Sequence, residues 1–317
     1  MTAGAQTTST SVVPLPGKVV GHIGLGAMGR PIAQNFVASG QATVVFDADS
    51  ASQGRFLDDH AGVGGAAGFA DFAACDVVVL VLPTSDIVDS VVLSEDGLLA
   101  HLRPGSTIVD MGSSIPTRTQ ALAEAAAVKG ISVVDAPVSG GVARAEQAAL
   151  AVMVGGDVAA VEAVIPLLKA TGSDIIHVGP VGSGHAAKAL NNLMAANNML
   201  IAAEALLVGR KFGIEPATLL GVINASSGRN QATEAKYEKF VLSRTFDSGF
   251  AARLMRKDIG IALDLAHDQE ISPLLGEAVG RLWNAAVDGL DPAADQTDVV
   301  RYLEEYHRVS LADPAGR

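Results

Sequence analysis

Lys188 and Asn192 stand four residues apart in a stretch rich in Ala, Leu and Met. On a helix that spacing puts an ammonium and an amide on one face, one turn apart. Ala187, Leu190, Met194 and Ala195 surround them in sequence, so the strip reads as otherwise apolar. A lysine there has two readings. Its stem snorkels along the strip with the charged head in water, or its amine handles a proton beside a bound substrate. His185 precedes Lys188 by three residues and shares its face; it reads as a polar residue of a helix start rather than a catalyst. His22 lies inside an apolar run and reads as packing. No His, Asp and Glu residues fall into a metal-ligand arrangement, so no metal is expected.

A second chemical stretch lies upstream. The apolar run Lys18 to Ile23 ends in Gly24-Leu25-Gly26-Ala27-Met28-Gly29; a helical pattern follows to Ser39, and the β-branched run Ala42 to Phe46 ends in Asp47. Strand, glycine turn, helix, strand and acid in this order are the context that a dinucleotide fingerprint requires. Gly24 makes the tight turn, Gly26 admits the pyrophosphate to the backbone, and Gly29 lets helix and strand pack closely. The anion would sit at the helix N-terminus. Asp47 can accept hydrogen bonds from ribose hydroxyls and would repel a 2′-phosphate, so NAD is expected in preference to NADP.

These residues need a scaffold, and the alternation of patterns supplies one. Short strands are expected at Val63 to Ala66, Asp76 to Leu82, Ser106 to Asp110, Ile131 to Asp135, Ala151 to Val154 and Asp174 to Val178, with helices between them. Asp76 to Leu82 is apolar on both faces, as a buried parallel strand must be. Behind it, Pro83-Thr84-Ser85 forms a loop where ligands of doubly wound sheets lie. Ser113 and Ser114 could line the cofactor cleft or cap the helix that Pro116 begins, and the cap is the preferred reading. Ser139, Gly140 and Gly141 form a small-residue turn with backbone N–H groups and one hydroxyl, suited to an anion such as a carboxylate.

From Gly182 only helical patterns remain: to Phe212, then 217–224, 232–241, 251–266, 274–288 and 295–309. The change from α/β alternation to all-α marks a domain boundary. The expectation is a tail at 1–16, a Rossmann-type doubly wound domain at 17–180, and an all-α substrate and oligomerisation domain at 181–310, entered through a long interdomain helix. The 317 residues suffice for two domains. Apolar residues make up 49%, and the net charge is −12 with no basic run, which excludes a nucleic-acid partner. The single cysteine, Cys75, excludes an intramolecular disulfide. The Ser/Thr-rich start lacks the charged and apolar regions of a signal peptide. No apolar run is read as long enough for a membrane span, so a cytoplasmic protein without membrane association is expected.

The order of GLGAMG (Gly24–Gly29), DAPVSGG (Asp135–Gly141), GSGHAAKALNN (Gly182–Asn192) and a late Lys257-Asp258 resembles the β-hydroxyacid dehydrogenase family over about residues 18–308. The resemblance implies hydride transfer between the nicotinamide of NAD and the β-carbon of a small β-hydroxycarboxylate or semialdehyde acid. It implies that Gly24, Leu25, Gly26, Ala27, Met28, Gly29, Leu82, Pro83 and Ser113 contact the cofactor, with Lys257 near cofactor or substrate. It makes Ser139, Gly140 and Gly141 the holders of the substrate carboxylate, Lys188 the acid/base and Asn192 its partner in orienting substrate; Asp258 reads as structural. It also implies a homodimer or homotetramer. Three positions depart from the family pattern: Ala148-Ala149-Leu150 replaces Gly-Thr-Leu, Ile32 replaces Met, and Arg144 stands where small residues are common. Arg144 reads as solvated rather than as an anion contact. An imine reductase shares this architecture but generally lacks the lysine, and a non-catalytic NAD-binding protein would not need the Lys188–Asn192 pair. The hydroxyacid itself stays open.

Overall fold

Val77 to Leu80 is buried at every residue, and its side chains divide by period 2. Val77 and Val79 join Val20, Phe36, Val109 and Val164 on one side of a sheet, while Val78 and Leu80 join Phe72, Val92, Ile108 and Leu122 on the other. Each such valine or leucine withdrawn from water contributes about 1.5–3 kcal/mol. The computed structural model describes residues 13–312. In it the strands are β1 (Val19–Ile23), β2 (Ala42–Phe46), β3 (Gly64–Gly65), β4 (Val77–Leu80), β5 (Thr107–Asp110), β6 (Ser132–Asp135), β7 (Val138–Ser139), β8 (Ala151–Gly155) and β9 (Asp174–Gly179). Their order is β3-β2-β1-β4-β5-β6-β8-β7, with β9 beside β8.

From β3 to β6 all pairs are parallel. β8 runs antiparallel to β6 and β7, and parallel to β9. Helices α1 (Gly29–Ala38), α2 (Ser50–Asp59), α3 (Ser85–Leu93), α4 (Leu98–His101), α5 (Pro116–Ala127), α6 (Gly141–Glu146) and α7 (Val158–Leu168) link them. This is the doubly wound Rossmann-type sheet that the alternation predicts. The strand order reverses between β1 and β4, and ligands of such sheets lie beyond the carboxyl ends of the strands at that point. Here those ends are Gly24 and Val81.

Three expectations for this part are corrected. β4 stops at Leu80, short of Leu82, because its neighbour β1 turns away: Val81 N still donates to Ile23 O (2.9 Å), but Gly24 leaves the extended region with φ 100°. Leu15, assigned to the tail, is buried, and its N–H donates to Gln41 Oε1 (2.9 Å). Residues 1–12 of that tail lie outside the described residues. Ser113 and Ser114 do not cap α5. The capping position is Ile115, which has no side-chain cap; its N–H donates to Ser85 Oγ (2.8 Å), and Ser114 Oγ donates instead to Asp110 Oδ2 (2.6 Å).

After β9 the structure is helical. α8 (Ser183–Phe212), α9 (Pro216–Asn224), a π-helix (Thr233–Leu242), α10 (Ala252–Asp268), α11 (Leu274–Gly289) and α12 (Val299–His307) follow in order. The chain divides into two compact units between Ala187 and Lys188, inside α8 rather than before it. Ala196, Met199, Leu200, Ala203, Leu206 and Leu207 of α8 enter the second unit's core with Tyr237 and Trp283, at the i, i+3, i+4, i+7 spacing of a helix buried on one stripe. By length and composition α8 is apolar enough to cross a membrane, which the sequence reading does not count, and half of that window is buried within the protein.

Candidate functional site

The glycine turn is built from close backbone approaches. A Cβ on Gly24 would meet Val81 O at 2.4 Å, and one on Gly29 would meet Gly24 O at 1.9 Å. These two glycines are required by the protein itself. Gly26 is different: a Cβ there would meet nothing within 4 Å. Its openness leaves room for a ligand against the backbone. α1 begins just beyond, with Met28 at the cap position and no side-chain cap bond; Arg30 N donates to Gly26 O (3.0 Å) and Pro31 has no N–H, so an anion would meet the amides that precede Arg30. Leu25 is buried, whereas Gly26 and Ala27 are exposed. Asp47 accepts from Leu25 N (2.6 Å) and from Asp49 N (2.8 Å), which ties the acid at the end of β2 to the turn. Under the turn, His22 is fully buried; its Nε2 lies 3.0 Å from Gly24 O, and burial pushes its pKa down from 6.5 to about 4. The ring is therefore a neutral packing group, as its place in an apolar strand predicts. An uncapped helix start, an open glycine and a tethered acid fit a dinucleotide.

The other expected residues of this unit lie around the same strand ends. Leu82 is half-buried and Pro83 exposed after β4; Ser113 is half-buried after β5. After β6 the chain forms β7 and the short helix α6, where the sequence suggests only a turn. Ser139 is half-buried and paired with Ala151, and Gly140 and Gly141 are exposed with φ 137° and 71°. Those φ values favour glycine, and a Cβ on Gly141 would meet nothing within 4 Å. Ser139 Oγ makes no hydrogen bond among the described residues, so it remains available to a ligand. Arg144 is exposed, 3.9 Å from Asp174, in keeping with a solvated side chain.

Asp135 explains the motif that carries Lys188. Its carboxylate is wholly buried and accepts from Gly182 N (2.7 Å) and His185 N (2.8 Å). It thus caps the first turn of α8 from a neighbouring strand, and its charge complements the helix dipole there. Gly184 is glycine because a Cβ would meet Met153 O at 2.4 Å and Asp135 Oδ2 at 2.9 Å. His185 is buried as well: its Nδ1 lies 2.9 Å from Thr119 Oγ1, and its Nε2 lies 3.7 Å from Asp110 Oδ2. It is a structural histidine of the α8 anchor. The sequence places Asp135 in a motif without giving it this task, since the partners stand 47 and 50 residues away.

In the second unit Lys188 is half-buried and has no hydrogen bond or ion pair among the described residues. Desolvation holds its pKa below the ordinary 10.5; Asp258 opposes that shift and Lys257 reinforces it. Asn192, one turn on, is buried and donates from Nδ2 to Asp258 Oδ2 (2.5 Å), while its Oδ1 accepts from Asn191 (3.2 Å). One amide hydrogen is therefore committed to Asp258 and one remains for a ligand. Asp258 is 2% exposed, and its Oδ1 lies 3.3 Å from Lys257 Nζ. The structure brings Lys188, Asn192, Lys257 and Asp258 into one cluster. Leu190 and Met194 do not belong to it. They are 45% and 69% exposed, because at 100° per residue they point away from the stripe of Lys188, Asn192 and Met199. Lys236 of the π-helix is a member that the sequence does not reveal. It is half-buried, and desolvation, reinforced by Lys188 against the pull of Asp295, lowers its pKa to about 8. In the run Thr233-Glu234-Ala235-Lys236-Tyr237-Glu238-Lys239 nothing local marks this lysine out. Among the described residues no group of three or more His, Cys, Asp or Glu is placed to hold a metal ion.

Comparison with known proteins gives this geometry its context. Residues 19–179 match the family described as the NAD-binding domain of 6-phosphogluconate dehydrogenase, and residues 182–303 match the one described as NAD-binding of NADP-dependent 3-hydroxyisobutyrate dehydrogenase. The chain is 39% identical to 2-(hydroxymethyl)glutarate dehydrogenase of Eubacterium barkeri over 301 residues, 92% of this chain and 97% of that one. The chain belongs to the β-hydroxyacid dehydrogenase family. It is accordingly an NAD(P)-dependent oxidoreductase of CH–OH groups. NAD-dependent L-serine dehydrogenase of Pseudomonas aeruginosa is also 39% identical, over 84% of this chain and 91% of that one. Mycobacterium tuberculosis 3-hydroxyisobutyrate dehydrogenase, solved with L-serine, superposes with a TM-score of 0.84 at 30% identity, over 90% of this chain and 99% of that chain.

Proposed function

We propose that the protein oxidises a small β-hydroxycarboxylate with NAD, or reduces the matching semialdehyde acid, and that Lys188 is its general acid/base. One observation carries the reading. A half-buried lysine with no carboxylate bonded to it, and with its pKa pushed down by desolvation, stands one turn before Asn192. An amine so placed reaches its neutral form nearer working pH than a solvated lysine does.

The nicotinamide, when bound, takes up or gives the hydride at the carbon bearing the oxygen. In oxidation Lys188 Nζ, neutral, takes the proton of the substrate hydroxyl; in reduction its ammonium returns a proton to the carbonyl oxygen. The free amide hydrogen of Asn192 donates to the same oxygen, and Asp258 fixes the amide so that the other hydrogen does not compete. Ser139 Oγ and the exposed turn at Gly140 and Gly141 hold the substrate carboxylate. Lys257, beside Asp258, serves cofactor or substrate. Gly24, Leu25, Gly26, Ala27, Met28 and Gly29 receive the pyrophosphate, and Leu82, Pro83 and Ser113 line the rest of the dinucleotide site. Asp47 makes NAD the preferred cofactor: its carboxylate, held at the turn by two N–H groups, would repel a 2′-phosphate.

Lys188→Met tests the central role. Turnover should fall about a thousandfold, while NAD binding, measured separately by titration, stays within about threefold. Near-normal turnover by Lys188→Met would refute it. We further propose a homodimer or homotetramer. The support is the apolar surface of the second unit, where Val208, Phe212, Leu274 and Leu275 are each more than two-thirds exposed. A monomeric mass by light scattering would overturn that.

A further inference from the structure

Lys236 has no use in the chemistry above, and its surroundings leave its charge unmatched. It is half-buried, yet it makes no hydrogen bond or ion pair among the described residues. The carboxylate whose charge it feels is Asp295, and that group is already saturated. Asp295 Oδ1 accepts from Ser248 Oγ (2.8 Å), Thr297 N (2.9 Å) and Thr297 Oγ1 (2.6 Å). Its Oδ2 accepts from Gly249 N (2.9 Å) and Phe250 N (3.1 Å). The other buried acid of the cluster, Asp258, is occupied by Asn192 and Lys257. Two desolvated lysines, 188 and 236, therefore repel each other with no counter-ion bonded to either. Withdrawing an unpaired ammonium from water is costly, and a protein that keeps one there does so for a ligand or a reaction.

Lys236 is also held firmly. Asn230 Oδ1 accepts from Ala232 N (2.9 Å) and Thr233 N (3.2 Å) at the start of the π-helix. Tyr237, the next residue, donates its hydroxyl to Met199 O (2.5 Å) on α8. Met199 is eleven residues after Lys188 and lies on the same stripe of α8. The π-helix thus meets α8 at Met199, on the stripe that bears Lys188 and Asn192. Short π-helical insertions recur at functional sites, and this one runs for ten residues.

We propose that Lys236 binds a second carboxylate of the substrate, so that the hydroxyacid oxidised here is a dicarboxylate. This rests on the reading of Lys188 as the acid/base. Lys188 must be able to lose its charge and Lys236 must keep its own; an anion bound beside Lys236 supplies the counter-ion that Asp295 cannot. The second carboxylate gives the enzyme a handle that a monocarboxylate lacks.

The test compares NAD reduction with 2-(hydroxymethyl)glutarate, 3-hydroxyisobutyrate and L-serine as probes. For the wild-type enzyme kcat/KM should favour the dicarboxylate by at least about tenfold. In Lys236→Met the ratio of dicarboxylate to monocarboxylate kcat/KM should drop by about tenfold or more, through KM, with Lys236→Arg restoring most of it. Lys239→Met, on the exposed side of the same π-helix, should leave the ratio unchanged. An unchanged ratio in Lys236→Met overturns the inference, as does an equal loss on all three probes. Binding of glutarate and of butyrate to the NADH-loaded enzyme, followed by calorimetry, decides the matter independently of turnover. Tighter binding of glutarate that disappears in Lys236→Met supports the second-carboxylate site even if Lys188→Met proves active; equal binding of the two acids removes it.

Discussion

Two glycine-rich stretches organise this chain, and their glycines have different reasons. In Gly24–Gly29 the constraint is partly internal: Gly24 and Gly29 crowd each other, Val81 at the end of the neighbouring strand β4 lies against both, and Gly26 has open space beside it. In Gly182–Lys188 it comes from elsewhere: Gly184 is small because Asp135 and Met153 lie against it. The first stretch offers its own backbone, the second presents side chains whose properties neighbours set. Asp135 holds the helix start, while Asp258, Lys257 and desolvation decide the state of Lys188. A motif that offers backbone needs only the adjoining strand end to take shape; a motif that works through side chains is half a site until its surroundings are in place.

The contrast can be broken most forcefully at Gly29. Gly29→Ala drives a Cβ into Gly24 O and should cost more than about 3 kcal/mol in a denaturant melt. A stable Gly29→Ala protein would mean that the turn is not self-constrained.

His22 gives an effect of similar size through pH. Its folded pKa of about 4 lies below the ordinary 6.5, so the unfolded chain binds the extra proton first. Stability from the neutral ring is complete above pH 6.5 and is lost as pH falls toward 4, by about 3 kcal/mol at most. The melting temperature should fall through that window, and His22→Phe should flatten the decline; an undiminished slope in the variant would assign it to other groups.

Asp135→Ala should cost about 2–3 kcal/mol, since two backbone N–H groups lose a charged acceptor, and should loosen amide-exchange protection at Gly182 and His185. Unchanged protection there would dissolve the distinction between the two stretches.

Gly26→Ala sharpens it from the other side. With nothing within 4 Å of the new Cβ, the melting point should hold, while the NAD dissociation constant rises about tenfold. Equal effects on both would show that Gly26 serves the fold.

The finest test is the pH dependence of oxidation. Because Asp258 raises the pKa of Lys188, Asp258→Asn should move the rise of kcat/KM with pH to lower pH. Lys257 acts in the opposite sense, so Lys257→Met should move it to higher pH. Shifts in the reverse directions would remove Lys188 from the titration.

The sequence was most readable where structure is local. The β-branched runs became strands at nearly the expected places, and Gly24–Gly29 was legible as a turn because Gly24 and Gly29 crowd each other within one short stretch, even though distant Val81 also closes against both. Where it misled, a distant group had taken over a local role. Ser114 looked like a cap for α5, but Asp110 claims its hydroxyl. Leu190 and Met194 looked like neighbours of Lys188, but the core of the second unit turns the other stripe of α8 inward.

By itself, then, the sequence determined the doubly wound sheet, the helical second half, the glycine turn and the candidates Lys188 and Asn192, because hydrophobic period, glycine placement and short spacings are properties of neighbouring residues. Only the tertiary structure decided that Asp135 caps α8, that Asp258 occupies half of the Asn192 amide, and that Lys236 stands unpaired beside Lys188. Charge balance in a desolvated site is a sum over residues far apart in the chain, and it takes a value only once the fold has brought them together.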